Sequence, residues 1–247
     1  MDIRSYSLPG GIGISHMRVY TTPGPDGVNS GAPHFHLLSG DIYYALTGSG
    51  LLELIDINGP QTIELHPGVV AFMRPGVIHR LVNPLGNLEV LSIMQNGGMA
   101  ERGDFFLTFP LEIMEQPGQY NQAVKVPDMA SAHTRRDLSV RGFLELKAAF
   151  HHDPESGKAH LRRMYKAAMK LASTKVEAFE WSLKHGAGAE AKSCLEACHF
   201  IRAGEVSYLE KNIGSVSPCN DPNGRPGMGG VLRTYTVPAN MLRDVEE

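Results

Sequence analysis

The chain is 247 residues long, 42% hydrophobic and 20% charged, which is the make-up of a folded globular protein and too apolar for a disordered one. Its formal charge of −3 and the lack of any apolar run near the roughly 18–20 residues of a bilayer span argue against nucleic-acid and membrane partners. Cys194, Cys198 and Cys219 are an odd number of cysteines for so long a chain, which argues against a disulfide scaffold. Met1–Tyr6 lacks the apolar core of a signal peptide, so the expected setting is cytoplasmic.

From Ser15 to about Pro110 the chain is a series of short β-like runs. They are Ser15–Tyr20, His34–Leu37, Ile42–Leu46, Leu51–Ile57, Gln61–Leu65, Val69–Met73, Val77–Val82 and Leu88–Met94. Turn residues separate them: Ser39-Gly40, Gly48-Ser49-Gly50, Asn58-Gly59, Pro67-Gly68, Pro75-Gly76 and Pro84-Leu85-Gly86. Such even punctuation predicts an all-β sandwich or small barrel. Asn58-Gly59 predicts a type I′ hairpin, in which both residues take positive φ.

After Pro127 the period changes. Asp137–Phe150 sets Leu138, Phe143 and Leu146 near helical spacing and ends before His151-His152-Asp153-Pro154. A second helical stretch, with room for a break, runs from Glu155 to about His185, with Leu161, Met164, Tyr165, Ala168 and Leu171 as its apolar stripe. A third helix is expected over Ala187–Ala203, closed by Gly204. The Gly/Pro-rich stretch 218–230 has no strand–GxxxxGK–helix context and is not read as a phosphate loop. It leads to a strand over Val231–Val237 that is expected to return to the β region. The domains expected are a β-barrel over 1–126, a helical extension over 127–230, and a terminal strand and tail over 231–247. Charge divides at the first boundary: residues 1–126 hold 6 basic and 11 acidic groups, residues 127–247 hold 17 and 15.

The chemistry is concentrated in two stretches. In Gly31-Ala32-Pro33-His34-Phe35-His36-Leu37-Leu38-Ser39-Gly40-Asp41, residues two apart on a strand project together, so His34 and His36 share a face. Asp41 opens the next strand and can face the same interior. In the second stretch a Pro75-Gly76 turn and a return strand bring in His79. Three imidazoles and one carboxylate suit a divalent transition metal (Fe, Mn, Ni or Zn) with positions left open. Tyr43, two residues after Asp41, shares its inward face and is a candidate catalytic and substrate-binding residue. Arg74 lies in the turn, where a substrate carboxylate or phosphate can pair with it.

These two stretches resemble the paired motifs of the cupin superfamily, G-x5-H-x-H-x(3–4)-E-x6-G and G-x5-P-x-G-x2-H-x3-N. His34, His36, Asp41 and Gly48 match the first; Gly68, Gly76, His79 and Asn83 match the second. Asp41 replaces the usual Glu, Arg74 stands where a Pro is expected, and the opening glycine, Gly31, lies three residues before His34. The resemblance covers about residues 15–110. It implies an all-β cupin barrel (a double-stranded β-helix or jelly roll), here with an α-helical C-terminal extension. It also implies one metal held by His34, His36, Asp41 and His79, a small polar hydroxy or keto substrate, and a homodimer. An Fe(II) dioxygenase-type oxidoreductase is the first expectation. A metal-dependent sugar (phosphate) isomerase or lyase is the second, since Asp41–Gly50 and His79–Asn83 are similar to the archaeal cupin-type phosphoglucose isomerases. A non-enzymatic ligand-binding barrel is the third.

Other polar residues have plainer readings. Arg80 should point away from His79, toward the surface or a dimer contact. Cys194 and Cys198, four apart on one helix face, read as buried small residues. Met164, Met169, Phe179 and Trp181 read as helix-packing core. His151-His152 read as imidazoles meeting a helix C-terminus.

Overall fold

The computed structural model describes residues 8–212, 214 and 216–235; Met1–Tyr6, the end of the last expected strand (Thr236 and Val237) and the tail beyond it lie outside the described residues. Eight strands follow one another closely: β1 (Gly13–Val19), β2 (His34–Phe35), β3 (Asp41–Thr47), β4 (Gly50–Asp56), β5 (Gly59–Leu65), β6 (Val70–Met73), β7 (Ile78–Val82) and β8 (Glu89–Met94). Each lies within two residues of the run expected from turn spacing. β9 (Phe106–Leu107) and β10 (Arg225–Pro226) were not expected, because two residues are too few to show a period. β11 (Gly230–Tyr235) follows β10.

The strands form two antiparallel sheets, ordered β10-β11-β1-β8-β3-β6 and β5-β4-β7-β2-β9. The expected jelly roll is therefore a pair of facing sheets, each with its own ladder, and not one closed barrel. β11 pairs with β1, from Ile14 opposite Tyr235 to Val19 opposite Gly230. The β4–β5 hairpin departs from the expected turn. Its loop is Ile57-Asn58, Asp56 pairs with Gly59, and Gly59 alone takes positive φ, at 107°. Glycine carries that conformation without a Cβ clash, so Asn58 need not share it.

Two apolar layers result. Met17, Tyr43, Leu52, Leu54, Leu81 and Val90 pack between the sheets. The outer face of the five-stranded sheet, through Phe35, Ile55, Ile78 and Phe106, packs against helical Phe143, Leu146, Leu161 and Met164. Each such side chain contributes about 1.5–3 kcal/mol on burial. A handful therefore outweighs the roughly 5–15 kcal/mol net stability of a typical domain, so the helical layer is integral to the sheet it covers. All five residues of β7 are buried for the same reason: one face looks into the sandwich and the other lies under helices.

The helices are α1 (Leu111–Met114), α2 (Pro117–Ala123), α3 (Met129–His152), α4 (Pro154–Ala172), α5 (Val176–His185) and α6 (Ala187–Ala203). α3 starts at Met129, ahead of the expected Asp137, because the Asp128 carboxylate accepts from the Ser131 N–H at 2.7 Å and caps it. Asp153 does the same for α4 through the Ser156 N–H at 2.9 Å, so the His-His-Asp-Pro stretch is one helix end and one capped restart. Gly204, at φ 69°, closes α6 in the left-handed conformation. Two expectations fail here. No residue of α6 is buried, and Cys194 and Cys198 are exposed, since α6 is an outer helix whose four-residue spacing of small residues meets no covering layer. Met169 is 63% exposed, on the solvent side of the α4 stripe whose core side holds Met164.

Candidate metal centre

β3 alternates cleanly between buried and exposed positions, with Asp41, Tyr43 and Ala45 facing inward. β2 turns His34 inward and Phe35 outward to the helices, and β7 lies beside it with His79 in register opposite His34. His36 follows β2 and returns to the inner side. The four side chains His34, His36, Asp41 and His79 are all buried, and one potential ligand atom from each lies within 4.8 Å of the others. The His34 and His79 Nε2 atoms are 3.1 Å apart, and Asp41 Oδ2 lies 3.4 Å from His36 Nε2 and 3.3 Å from His79 Nε2. Aspartate in place of glutamate therefore still reaches the cluster.

The other ring nitrogens explain why these atoms converge. His34 Nδ1 donates to the Ala32 carbonyl at 2.8 Å, His79 Nδ1 to the Val77 carbonyl at 3.0 Å, and His36 Nδ1 to the Asp104 carbonyl. Carbonyls only accept, so each Nδ1 carries a proton and each Nε2 is turned to the centre, where a neutral imidazole offers its lone pair. Lone pairs 3.1 Å apart repel unless something electron-poor lies between them. His36 Nε2 and Asp41 Oδ1 are also buried without a hydrogen-bond partner among the described residues. Such an orphan costs about 1–3 kcal/mol. Neutral imidazoles with a carboxylate form the donor set of a divalent transition ion, and the orphaned atoms are the ones it would satisfy. The residues fit a metal.

Asp104 supports the cluster, and sequence reasoning missed it. Its carbonyl holds His36. Its carboxylate accepts from the N–H groups of Leu37 at 2.8 Å, Leu38 at 3.2 Å and Ser39 at 2.9 Å, fixing the turn that delivers Asp41. No motif flagged it, because it follows the irregular stretch 95–103 and meets the turn only in three dimensions. A second support is the Pro75-Gly76 turn. Gly76, at φ 88°, donates its N–H to the His36 carbonyl at 2.8 Å, and its own carbonyl accepts from the Tyr165 hydroxyl of α4 at 2.7 Å.

Electrostatics separate the four residues. Burial alone would raise the Asp41 pKa, but the neighbouring His36 and His79 rings outweigh it and hold the carboxyl below its ordinary range. Burial, reinforced by the other two imidazoles, pushes His34 well below the usual histidine value. For His36, burial is overcome by Asp41 and the pKa rises. The buried Tyr43 hydroxyl donates to Asp41 Oδ2 at 3.4 Å, and its ring meets His79 edge-on at 5.8 Å. Burial and then the Asp41 charge raise its pKa well above the ordinary value.

Arg74 lies exposed in the β6–β7 turn, one residue beyond Met73, which pairs with Asp41. Arg80 points away from His79 as expected, but it is buried and not at the surface. Its guanidinium forks onto Asp26 at 2.7 and 3.2 Å, reaches Glu53 at 3.2 Å and Ser30 at 2.7 Å, and lies over the Phe143 ring. The correction has a simple cause: α3 covers the outer face of β7, a layer the strand pattern does not announce. His151 and His152 occupy the last turn of α3, apart from the cluster.

No protein-family model matches the chain, and no curated protein does. Solved structures align with parts of it. A Cupin 2 conserved barrel domain protein from Salinispora arenicola is 24% identical over 38% of this chain and 71% of its own, with a TM-score of 0.29. The TDP-fucose-3,4-ketoisomerase WlaRA from Campylobacter jejuni is 18% identical over 33% and 57%, with a TM-score of 0.28. The polyketide cyclase RemF from Streptomyces resistomycificus is 32% identical over 27% and 46%, with a TM-score of 0.24. The chain spans 50–57% of the length of three of the structures it matches. Facing sheets with a buried His/Asp cluster between them are what the motif resemblance to the cupin superfamily implies.

Proposed function

We propose that this chain is a metal-dependent enzyme acting on a small polar hydroxy or keto metabolite, with an Fe(II) dioxygenase-type oxidoreductase as the first reading. The observation that carries the metal-dependent reading is the convergence of three Nε2 lone pairs and one carboxylate in a buried space. A divalent ion held by His34, His36, Asp41 and His79 would supply Lewis acidity toward a carbonyl or hydroxyl oxygen, and iron would add redox chemistry with dioxygen. The protein's own part is to orient and exclude water. The carbonyls of Ala32, Val77 and Asp104 lock the imidazoles, and burial keeps bulk water from the centre. Tyr43 is the group placed to orient a substrate oxygen or give it a proton from its hydroxyl, and Arg74 is the cation available at the turn. A sugar (phosphate) isomerase or lyase uses the same site without dioxygen.

The test is metal analysis of anaerobically purified protein, followed by oxygen uptake with a panel of small keto and hydroxy compounds. About one iron per chain with substrate-dependent uptake is the expected outcome. One Mn, Ni or Zn without uptake moves the assignment to the isomerase or lyase, and a chain that takes up none of these metals refutes the metal-dependent reading. A homodimer is part of the proposal. Ile42, Tyr44, Val70 and Phe72 stand exposed on paired β3 and β6, an apolar sheet face suited to a second copy. Phe72→Glu should convert the dimer to monomer in light scattering; an unchanged mass would place the interface elsewhere.

A further inference from the structure

A second space lies at the β10–β11 edge of the six-stranded sheet, under the 97–105 loop. It is a cleft lined by Met94, Glu101, Phe105, Arg135, Arg225 and Thr234 among others. Three of its walls continue into the supports of the His/Asp cluster. Met94 pairs in register with Asp41. Phe105 follows Asp104, whose carbonyl holds His36. Met228, also in the lining, accepts from the Ala32 N–H at 2.8 Å, and Ala32 in turn holds His34.

Arg135, on α3, is 8% exposed. Its Nη2 donates to the Gly227 carbonyl at 2.9 Å, its Nη1 to the Val124 carbonyl at 3.4 Å, and its Nε has no partner. Among the described residues no carboxylate pairs with it. Of the other buried arginines, Arg80 is held by Asp26 and Glu53 and Arg136 by Asp137, while Arg102 lies over the Trp181 ring, outside the cleft lining. The ionisable groups acting on Arg135 are Tyr20 and Tyr120, both kept protonated by burial. Burial without a counter-ion is costly for a guanidinium and lowers its pKa. Arg225, at the same cleft, is already engaged by Glu101 at 3.4 Å and Asp221 at 3.3 Å. Arg135 is therefore the cation in the cleft that lacks an anion.

We propose that this cleft is the substrate pocket, and that Arg135 receives an anionic group, a carboxylate or a phosphate, on a small substrate whose hydroxy or keto end reaches the His/Asp cluster. The substrate's direction rests on the metal-dependent reading above; the anion site does not. Phe105 and Met94 give the carbon chain an apolar wall, and a guanidinium is the side chain best suited to carboxylate and phosphate oxygens.

The test is calorimetric titration of the full chain with malonate and, separately, inorganic phosphate at constant ionic strength, alongside metal content. The expected result is one saturable site per chain, weakened at least tenfold in Arg135→Gln and partly retained in Arg135→Lys, with metal content unchanged. Tighter malonate binding identifies a carboxylate substrate, and tighter phosphate binding a phosphorylated one. Ala100→Trp fills the cleft without removing a charge and should weaken the same binding, so the proposal stays testable if Arg135→Gln does not fold. Absence of saturable binding by either anion, or wild-type affinity in the folded variants, overturns it. Anion binding by a chain that takes up no metal would refute the metal reading and leave the anion site standing.

Discussion

β7 carries two buried ionisable side chains one residue apart, and the fold treats them in opposite ways. Arg80, facing the helices, has four donor contacts to Asp26, Glu53 and Ser30, while Glu53 turns its second oxygen to Lys147 at 2.8 Å. His79, facing the sandwich, meets two other imidazoles and a carboxylate, and that group keeps orphaned atoms and opposed lone pairs. The outer cluster pairs every charge as it stands, with Arg80 Nε its one donor left without a partner, and it pins α3 and the Asp26 loop to the sheet. The inner cluster leaves its orphaned atoms in an arrangement that a cation could satisfy. Burial does not distinguish structural from functional polar groups; the balance of donors and acceptors does.

Four experiments would break or sharpen that contrast. The largest effect is expected from His79→Ala, which should cut metal content more than tenfold while leaving the metal-free fold as stable as before or more so, because a lone-pair conflict is removed. Full metal content in that variant would refute the inner-cluster assignment. Arg80→Ala should do the reverse. It leaves Asp26 and Glu53 without their cation and should cost about 3–5 kcal/mol in urea unfolding, with metal content per folded chain unchanged.

Asp104→Ala lies between the two. Losing the support of the turn should weaken metal binding about 10–100-fold in a chelator competition and cost about 1–3 kcal/mol of stability from the uncapped N–H groups. Wild-type metal affinity would show that the turn holds itself. The smallest effect concerns pH. Burial opposes ionisation of Asp26, but Arg80 outweighs it and holds the folded pKa below the ordinary value. The linked stability is thus fully present above the unfolded pKa of about 4 and lost as pH falls through the folded one. Asp26→Asn should flatten the acid limb of thermal stability below about pH 4, and an unaltered limb would place the acid-labile contacts elsewhere.

Much of the β region could be read from the chain, because Gly, Pro and Asn punctuate it and β3 alternates strictly: Asp41, Tyr43 and Ala45 inward, Ile42 and Tyr44 outward. The His/Asp cluster could be read in the same way, since His34 and His36 lie two apart and His79 follows a Pro-Gly turn. Asp104 and Arg135 could not. Neither has a neighbour in sequence that marks it, and each acts on groups far away along the chain: Asp104 on residues 36–39 and Arg135 on Gly227. Cys194, Cys198 and Met169 were misplaced for a related reason. Helical spacing shows which residues share a face, but whether that face is covered depends on what packs against it.

Local rules therefore determined the strands, the helix ends capped by Asp128, Asp153 and Gly204, and the types and spacing of the ligand atoms. These depend on a few neighbouring φ/ψ choices and a period of two or 3.6. Tertiary structure decided the rest: that the two sheets stay separate, that α3 covers β7 and so buries Arg80, and that Arg135 lines a cleft with no carboxylate partner among the described residues. Those outcomes come from contacts between residues distant in the chain, where packing and charge pairing leave no periodic trace in the sequence.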